Sequence, residues 1–159
     1  MMMGKDRDAI PFLKIAATDK REQYLTLMNL AIAYQRSNQL QASRLAYRQS
    51  LDLAEKELAR DPRDGVVRAR VAKICARLGN TARAESEIKQ ALRLSPDDYS
   101  TRTVAVQTYE ALGQRDDALA ILKTSPGSVL SAAMRWPELS ALVQDPRFQQ
   151  LVASHQVQK

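Results

Sequence analysis

Residues 71–79 read Val-Ala-Lys-Ile-Cys-Ala-Arg-Leu-Gly, and residues 105–113 read Ala-Val-Gln-Thr-Tyr-Glu-Ala-Leu-Gly. At an offset of 34 residues Val71 falls on Ala105, Ala72 on Val106, Cys75 on Tyr109, and Leu78-Gly79 on Leu112-Gly113. The offset continues on both sides: Ala84 meets Ala118, Ile88 meets Leu122, Ala91 meets Ser125, and Pro62 meets Pro96. A fixed period of this length marks a chain of repeated supersecondary units, each with an apolar face that only its neighbour can cover.

The residue types explain the unit. Small residues at fixed positions let two helices approach closely, and large ones fill the space between neighbouring pairs. Glycine directly after Leu78 and Leu112 suits a helix that ends in a left-handed residue. Asp61-Pro62 and Ser95-Pro96 place a helix-breaking ring after each second helix and a polar cap near the next start. An earlier copy spans 24–53, with Leu27, Leu30, Ala31 and Tyr34 in its first helix and Ser43, Tyr47 and Ser50 in its second. From that copy to the next the spacing is 41, and the extra seven residues fall between Ser50 and Arg60. Seven residues is close to two helical turns, so they lengthen the second helix without rotating its apolar face of Leu51, Ala54 and Leu58.

These residues resemble the tetratricopeptide repeat, a helix-turn-helix unit of the same period, over roughly residues 9–125. The resemblance rests on a small residue midway in the first helix (Ala31, Ala72, Val106), a large one three positions on (Tyr34, Cys75, Tyr109), a small one opening the second helix (Ser43, Ala84, Ala118), and a closing proline. Departures are Asn38 instead of Gly in the first turn, Arg68 and Arg102 where a bulky apolar residue is commoner, and Ser43 for Ala. It implies an all-α fold, a right-handed superhelix (α-solenoid) of antiparallel helix pairs with C-terminal capping helices. The expected divisions are 1–18, the second helix of a leading repeat whose first helix is absent, carrying Ala9, Leu13 and Ala16; 19–61, a repeat with an extended second helix; 62–96 and 97–126, two further repeats; and 127–159, the capping helices. In that last part short helices are expected around Val129 to Arg135 and Glu138 to Val143, separated by a Trp136-Pro137 break, with a final helix capped by Asp145. The run 137–151 is also similar to segments that follow such arrays in bacterial multidomain signalling proteins, including eukaryotic-like serine/threonine kinases, adenylate cyclases and winged-helix regulators.

Composition fits a folded chain: of 159 residues, 45% are hydrophobic and 26% charged, with only 5 Gly and 6 Pro. One cysteine, Cys75, excludes an internal disulfide and a multi-cysteine metal site. It sits where the repeat packs a large apolar residue, so a core thiol is expected. There is no run of about 18 apolar residues that could span a bilayer, and the first residues lack the apolar centre of a secretory signal. No membrane insertion by this segment is expected; a cytoplasmic setting is the default, a periplasmic one if the segment follows a membrane helix of a longer protein. The formal charge of +6 is concentrated: residues 60–93 hold nine Lys or Arg against four Asp or Glu.

No phosphate loop, dinucleotide fingerprint, kinase signature or zinc spacing occurs, and no cofactor or metal is expected. The single histidine, His155, lies five residues from the end, where an exposed, frayed side chain is expected. Asp97-Asp98 and Asp116-Asp117 open helices, where carboxylates are favoured by unpaired amides. The chain itself is therefore expected to be non-catalytic.

The resemblance places the partner-binding surface on the exposed side of each first helix, lining a concave groove. Here that side is expected to carry Asn29, Gln35 and Arg36, then Arg70, Lys73 and Arg77, then Gln107 and Glu110. Arg70, Lys73 and Arg77 recur at helical spacing opposite the apolar Val67, Val71 and Leu78, which predicts a positive middle to the groove. The expected partner is a protein or peptide, an acidic one by charge, in an interaction scaffold that forms the C-terminal regulatory part of a larger bacterial signalling protein such as a Ser/Thr kinase. The competing reading is nucleic-acid binding through the basic central repeat, against which stand the few aromatics available for base stacking. An uncovered apolar edge at the N-terminal helix predicts homo-oligomer formation there.

Overall fold

The computed structural model describes residues 3–17 and 23–157 and gives an all-α chain; among the described residues there is no strand. In order the helices are α1 (Met3–Ala16), α2 (Gln23–Arg36), α3 (Leu40–Arg60), α4 (Gly65–Leu78), α5 (Thr81–Leu94), α6 (Tyr99–Ala111), α7 (Arg115–Lys123), α8 (Gly127–Ala133), α9 (Ser140–Val143) and α10 (Pro146–Val157), with a 3-10 turn at Pro137–Leu139 before α9. They form two compact units. Unit 1 runs to Pro62 and includes Arg77–Gly79; unit 2 comprises Arg63–Ala76 and everything from Asn80 onward.

Unit 1 is built on the hairpin of α2 and α3, with α1 packed against α2. Ser43 Oγ donates to Ala31 O at 2.8 Å and Ser50 Oγ to Tyr24 O at 2.6 Å. Seven residues forward on α3 correspond to seven residues back on α2, so the pair is antiparallel. Both serines are buried, and each hydroxyl uses the spare lone pair of a helical carbonyl, which is why serine serves where alanine is commoner. The α3 helix runs 21 residues against 14 for α5, and the first turn closes on Asn38, whose φ of 60° is left-handed. In α1 the expected trio packs only in part: among the residues whose side chains are described, Ile10 is buried, Ala9 and Leu13 are half-buried, and Ala16 is exposed. The α1 face that meets α2 is therefore rotated from the one the 34-residue offset indicates.

In unit 2, α6 contacts α5, α7, α8 and the 3-10 turn. The core joins Ile88, Val106, Leu122, Leu139, Leu142 and Phe148, so the segment after α7 closes the hydrophobic cluster. Gly113 has φ 74° and completes a Schellman closure of α6: Gln114 N donates to Tyr109 O at 2.8 Å and Gly113 N to Glu110 O at 3.1 Å. Helix starts carry the expected acceptors, with Asp98 Oδ1 taking Thr101 N at 2.7 Å and Asp64 Oδ1 taking Val67 N at 2.9 Å.

Two arginines that depart from the repeat pattern prove to be internal clamps. Arg102 is buried; its Nε donates to Ser125 Oγ at 2.7 Å, Nη1 to Pro96 O at 2.7 Å and Nη2 to Ile121 O at 3.1 Å, so it ties the end of α7 to the start of α6. Arg68, one period earlier, is also buried and pairs with Glu87 of α5.

Gly65, the first residue of α4, lies against the end of α5. A β-carbon there would stand 2.4 Å from Ser95 Oγ, 2.8 Å from Ser95 Cβ and 3.1 Å from Ala91 O. Gly65→Ala is expected to lower stability by about 1–3 kcal/mol in urea unfolding, as overpacking does. Combining it with Ser95→Gly should recover part of that loss, and strictly additive effects would show that the close approach is not the cause.

Candidate interaction face

The first helices α2, α4 and α6 carry the residues expected to line a groove, and the structure divides them. In unit 1, Asn29 and Gln35 are exposed and Arg36 is half-buried. Gln35 and Arg77 line a cleft of about 390 Å³ together with Leu40, Gln41, Arg44 and Tyr47. Arg44 is a cation of this cleft that the reading of first helices alone passed over, because it belongs to α3.

In unit 2, Arg70 is half-buried, but Lys73 and Gln107 are each only 1% exposed. This corrects the expectation that both stand on an open side. They occupy the same position in successive repeats, and Lys73 Nζ donates to Gln107 Oε1 at 2.7 Å. The Trp136 ring lies over Lys73, with Nζ 5.2 Å from its centroid, and Glu138 Oε1 approaches the same ammonium at 3.7 Å. Residues read from sequence as a mere break between short helices thus cover the middle of the face. Their sequence signal was the single tryptophan of the chain followed by a proline and a carboxylate.

Glu110 is also engaged. Arg115 Nε and Nη2 donate to its two oxygens at 3.1 and 2.9 Å, a bidentate pair. Arg115 also lies 3.9 Å from Asp145, and Arg147 joins Asp145 to Asp116 of α7. Asp145 Oδ1 takes the backbone N–H of Arg147 at 2.9 Å and its Nε at 3.0 Å, while Oδ2 takes Nη2 at 2.9 Å. These hydrogen bonds from Arg147, side chain first and backbone second, pull the Asp145 carboxyl down to about 2 and push the Arg147 guanidinium up. The Glu110 hydrogen bond likewise raises Arg115. Burial, then the charges of Asp117 and Glu85, raise the Tyr109 hydroxyl.

The basic stretch at 60–93 is correspondingly less available than its composition implies. Arg60 pairs with Glu57, Arg68 and Arg83 with Glu87, and Lys73 with Glu138. Cys75 is buried, and His155 is half-buried with its Nδ1 2.9 Å from Leu151 O, held to its own helix where a frayed side chain was expected. Among the described residues no cluster of His, Cys, Asp or Glu could hold a metal ion, and no helix is long and apolar enough to cross a membrane.

One family model described as tetratricopeptide repeat matches residues 24–57, the α2–α3 hairpin, and a second matches residues 76–133. The chain carries tetratricopeptide repeats. No curated protein matches it. Tetratricopeptide arrays present extended surfaces to other proteins, so the repeats mark a protein-interaction scaffold.

Asp145 supplies a pH test of the cap on these repeats. Its folded-state pKa lies below the ordinary carboxylate value, so its stabilising contribution is complete above about pH 4 and is lost as pH falls toward 2. Asp145→Asn should therefore lower the melting temperature at pH 7, with the difference from wild type shrinking as the solution is acidified through that window.

Proposed function

We propose that this chain is a non-catalytic scaffold whose tetratricopeptide repeats bind an acidic protein segment. The observation that carries the reading is the placement of polar and cationic side chains on accessible faces of repeat helices: Asn29, Gln35, Arg36, Arg44 and Arg77 in unit 1, and Arg70 in unit 2. In this reading the repeats divide at 19–61, 62–96 and 97–126, with a leading helix in 1–18 and closing helices in 127–159. The likeness of 137–151 to segments of bacterial signalling proteins supports a further reading, as the C-terminal regulatory module of such a protein, a Ser/Thr kinase among the candidates. Buried Leu139, Leu142 and Phe148 show why that run has the apolar spacing it does.

The test is fluorescence anisotropy with labelled acidic, neutral and basic peptides and a single-stranded oligonucleotide at low and moderate salt. Acidic peptides should bind, weaken as salt rises, and lose about tenfold in affinity on Arg44→Glu. Equal binding of neutral peptides would overturn the charge preference, and tighter, steeply salt-dependent binding of the oligonucleotide would favour the nucleic-acid reading.

Self-association rests on α1, where Phe12 and Ile15 are 74% and 72% exposed. A second copy covering them would give light-scattering masses above the 17.8 kDa monomer, and Phe12→Ser with Ile15→Ser should return the monomer mass.

A further inference from the structure

We propose that the α4–α6 face around Lys73 and Gln107 is a peptide-binding site already occupied by the chain's own Trp136–Glu138, and that it accepts a partner segment with an aromatic residue followed two positions later by a carboxylate. The proposal rests on the interaction-scaffold reading and names the ligand chemistry of one of its faces.

Four observations combine. Lys73 and Gln107 stand at equivalent points of successive repeats, side by side on two first helices, where an array meets its ligands. What covers them differs from the helices of the repeats: Trp136 is extended, with φ −92° and ψ 114°, and Pro137–Leu139 is a single 3-10 turn. The contacts it makes are those of a ligand, an aromatic face on an ammonium and a carboxylate beside it. Trp136 remains 37% exposed, whereas the following Leu139 is anchored in the core with Leu142 and Phe148. The covering residues can thus leave without the anchor.

The fit is also incomplete. Gln107 Nε2 is buried without a hydrogen-bond partner. Exchanging the amide oxygen and nitrogen does not cure this, because the nitrogen would then face the Lys73 ammonium, donor against donor. A buried donor left unpaired carries a desolvation penalty, so a segment that presents a carbonyl or carboxylate oxygen to Gln107 gains an interaction that Trp136–Glu138 does not make. The built-in segment holds its place through tethering, which gives it a high effective concentration.

The probe is a fluorescein-labelled peptide with the sequence of residues 134–141, tested against the full chain. Trp136→Ala with Glu138→Gln vacates the site and leaves Leu139, Leu142 and Phe148 in place. This variant should bind the probe at least about tenfold more tightly than wild type, since self-occupancy reduces the competent fraction. Adding Lys73→Met should abolish the binding. Circular dichroism establishes that each variant is folded, and a folded vacated variant that ignores the probe overturns the proposal.

A second measurement needs no variant. Trp136 is the only tryptophan, so its quenching by acrylamide in the wild-type chain should rise when excess peptide carrying Phe in place of Trp is added. Unchanged quenching at saturating peptide overturns the proposal. If acidic peptides bind the wild-type chain through Arg44 while the vacated variant ignores the probe, this inference fails and the scaffold reading stands; if neither they nor the probe bind any form, both fail.

Discussion

Two helices can approach closely only where the side chains between them are small, and this chain meets the condition at Ser43, Ser50, Gly65, Ala84 and Ala118, all buried. The rest of the structure depends on that approach. It lets serine hydroxyls reach carbonyls of the facing helix, and it brings the end of α5 against the start of α4 with no room for a β-carbon. Because each first helix is fixed by its partner in this way, residues one period apart fall beside each other, which is how Lys73 comes to meet Gln107.

Charge in this molecule is used internally more than its net value suggests. A sequence isoelectric point near 9.7 invites a nucleic-acid reading, yet Arg68 and Arg102 are buried clamps within helix pairs and Lys73 lies under a tryptophan. An arginine in such a position provides a planar set of donors for the carbonyls and hydroxyls left over at a helix end, which an apolar residue could not satisfy. Composition counts these groups as surface cations. Their geometry shows that Arg102 caps the end of α7 while Arg68 and Lys73 join one helix to another.

The parts of the fold that were legible in the sequence are those set by local constraints. Gly79 and Gly113 follow their helices in the left-handed conformation, Asn38 substitutes for glycine because it tolerates the same conformation, and the seven extra residues after Ser50 appear as the added length of α3. What escaped was set by contacts distant in sequence. Helical periodicity puts Lys73 opposite Val71, but periodicity says nothing about what lies over a face, and the covering residues are more than sixty positions away. Gly65 escaped for a similar reason: a glycine after Asp64 reads as an ordinary helix start until the end of α5 is seen against it. On α1, the offset named Ala9, Leu13 and Ala16, while burial is deepest at Ile10, since the 34-residue offset does not fix which face of a helix packed mainly against one neighbour turns inward.

The cluster at Lys73 sets stability against function. Desolvating an ammonium is expensive, and well-packed apolar residues of similar size are often as stable as a buried ion pair or better. A helix interface under selection for stability alone has no need of a lysine beside a glutamine whose Nε2 is left without an acceptor. Polar walls are what a surface requires if it is to be wetted when its cover leaves, since an apolar face of the same extent would promote aggregation once uncovered. The chemistry of the face is therefore that of a site built to open, with Leu139, Leu142 and Phe148 keeping its cover attached at one end.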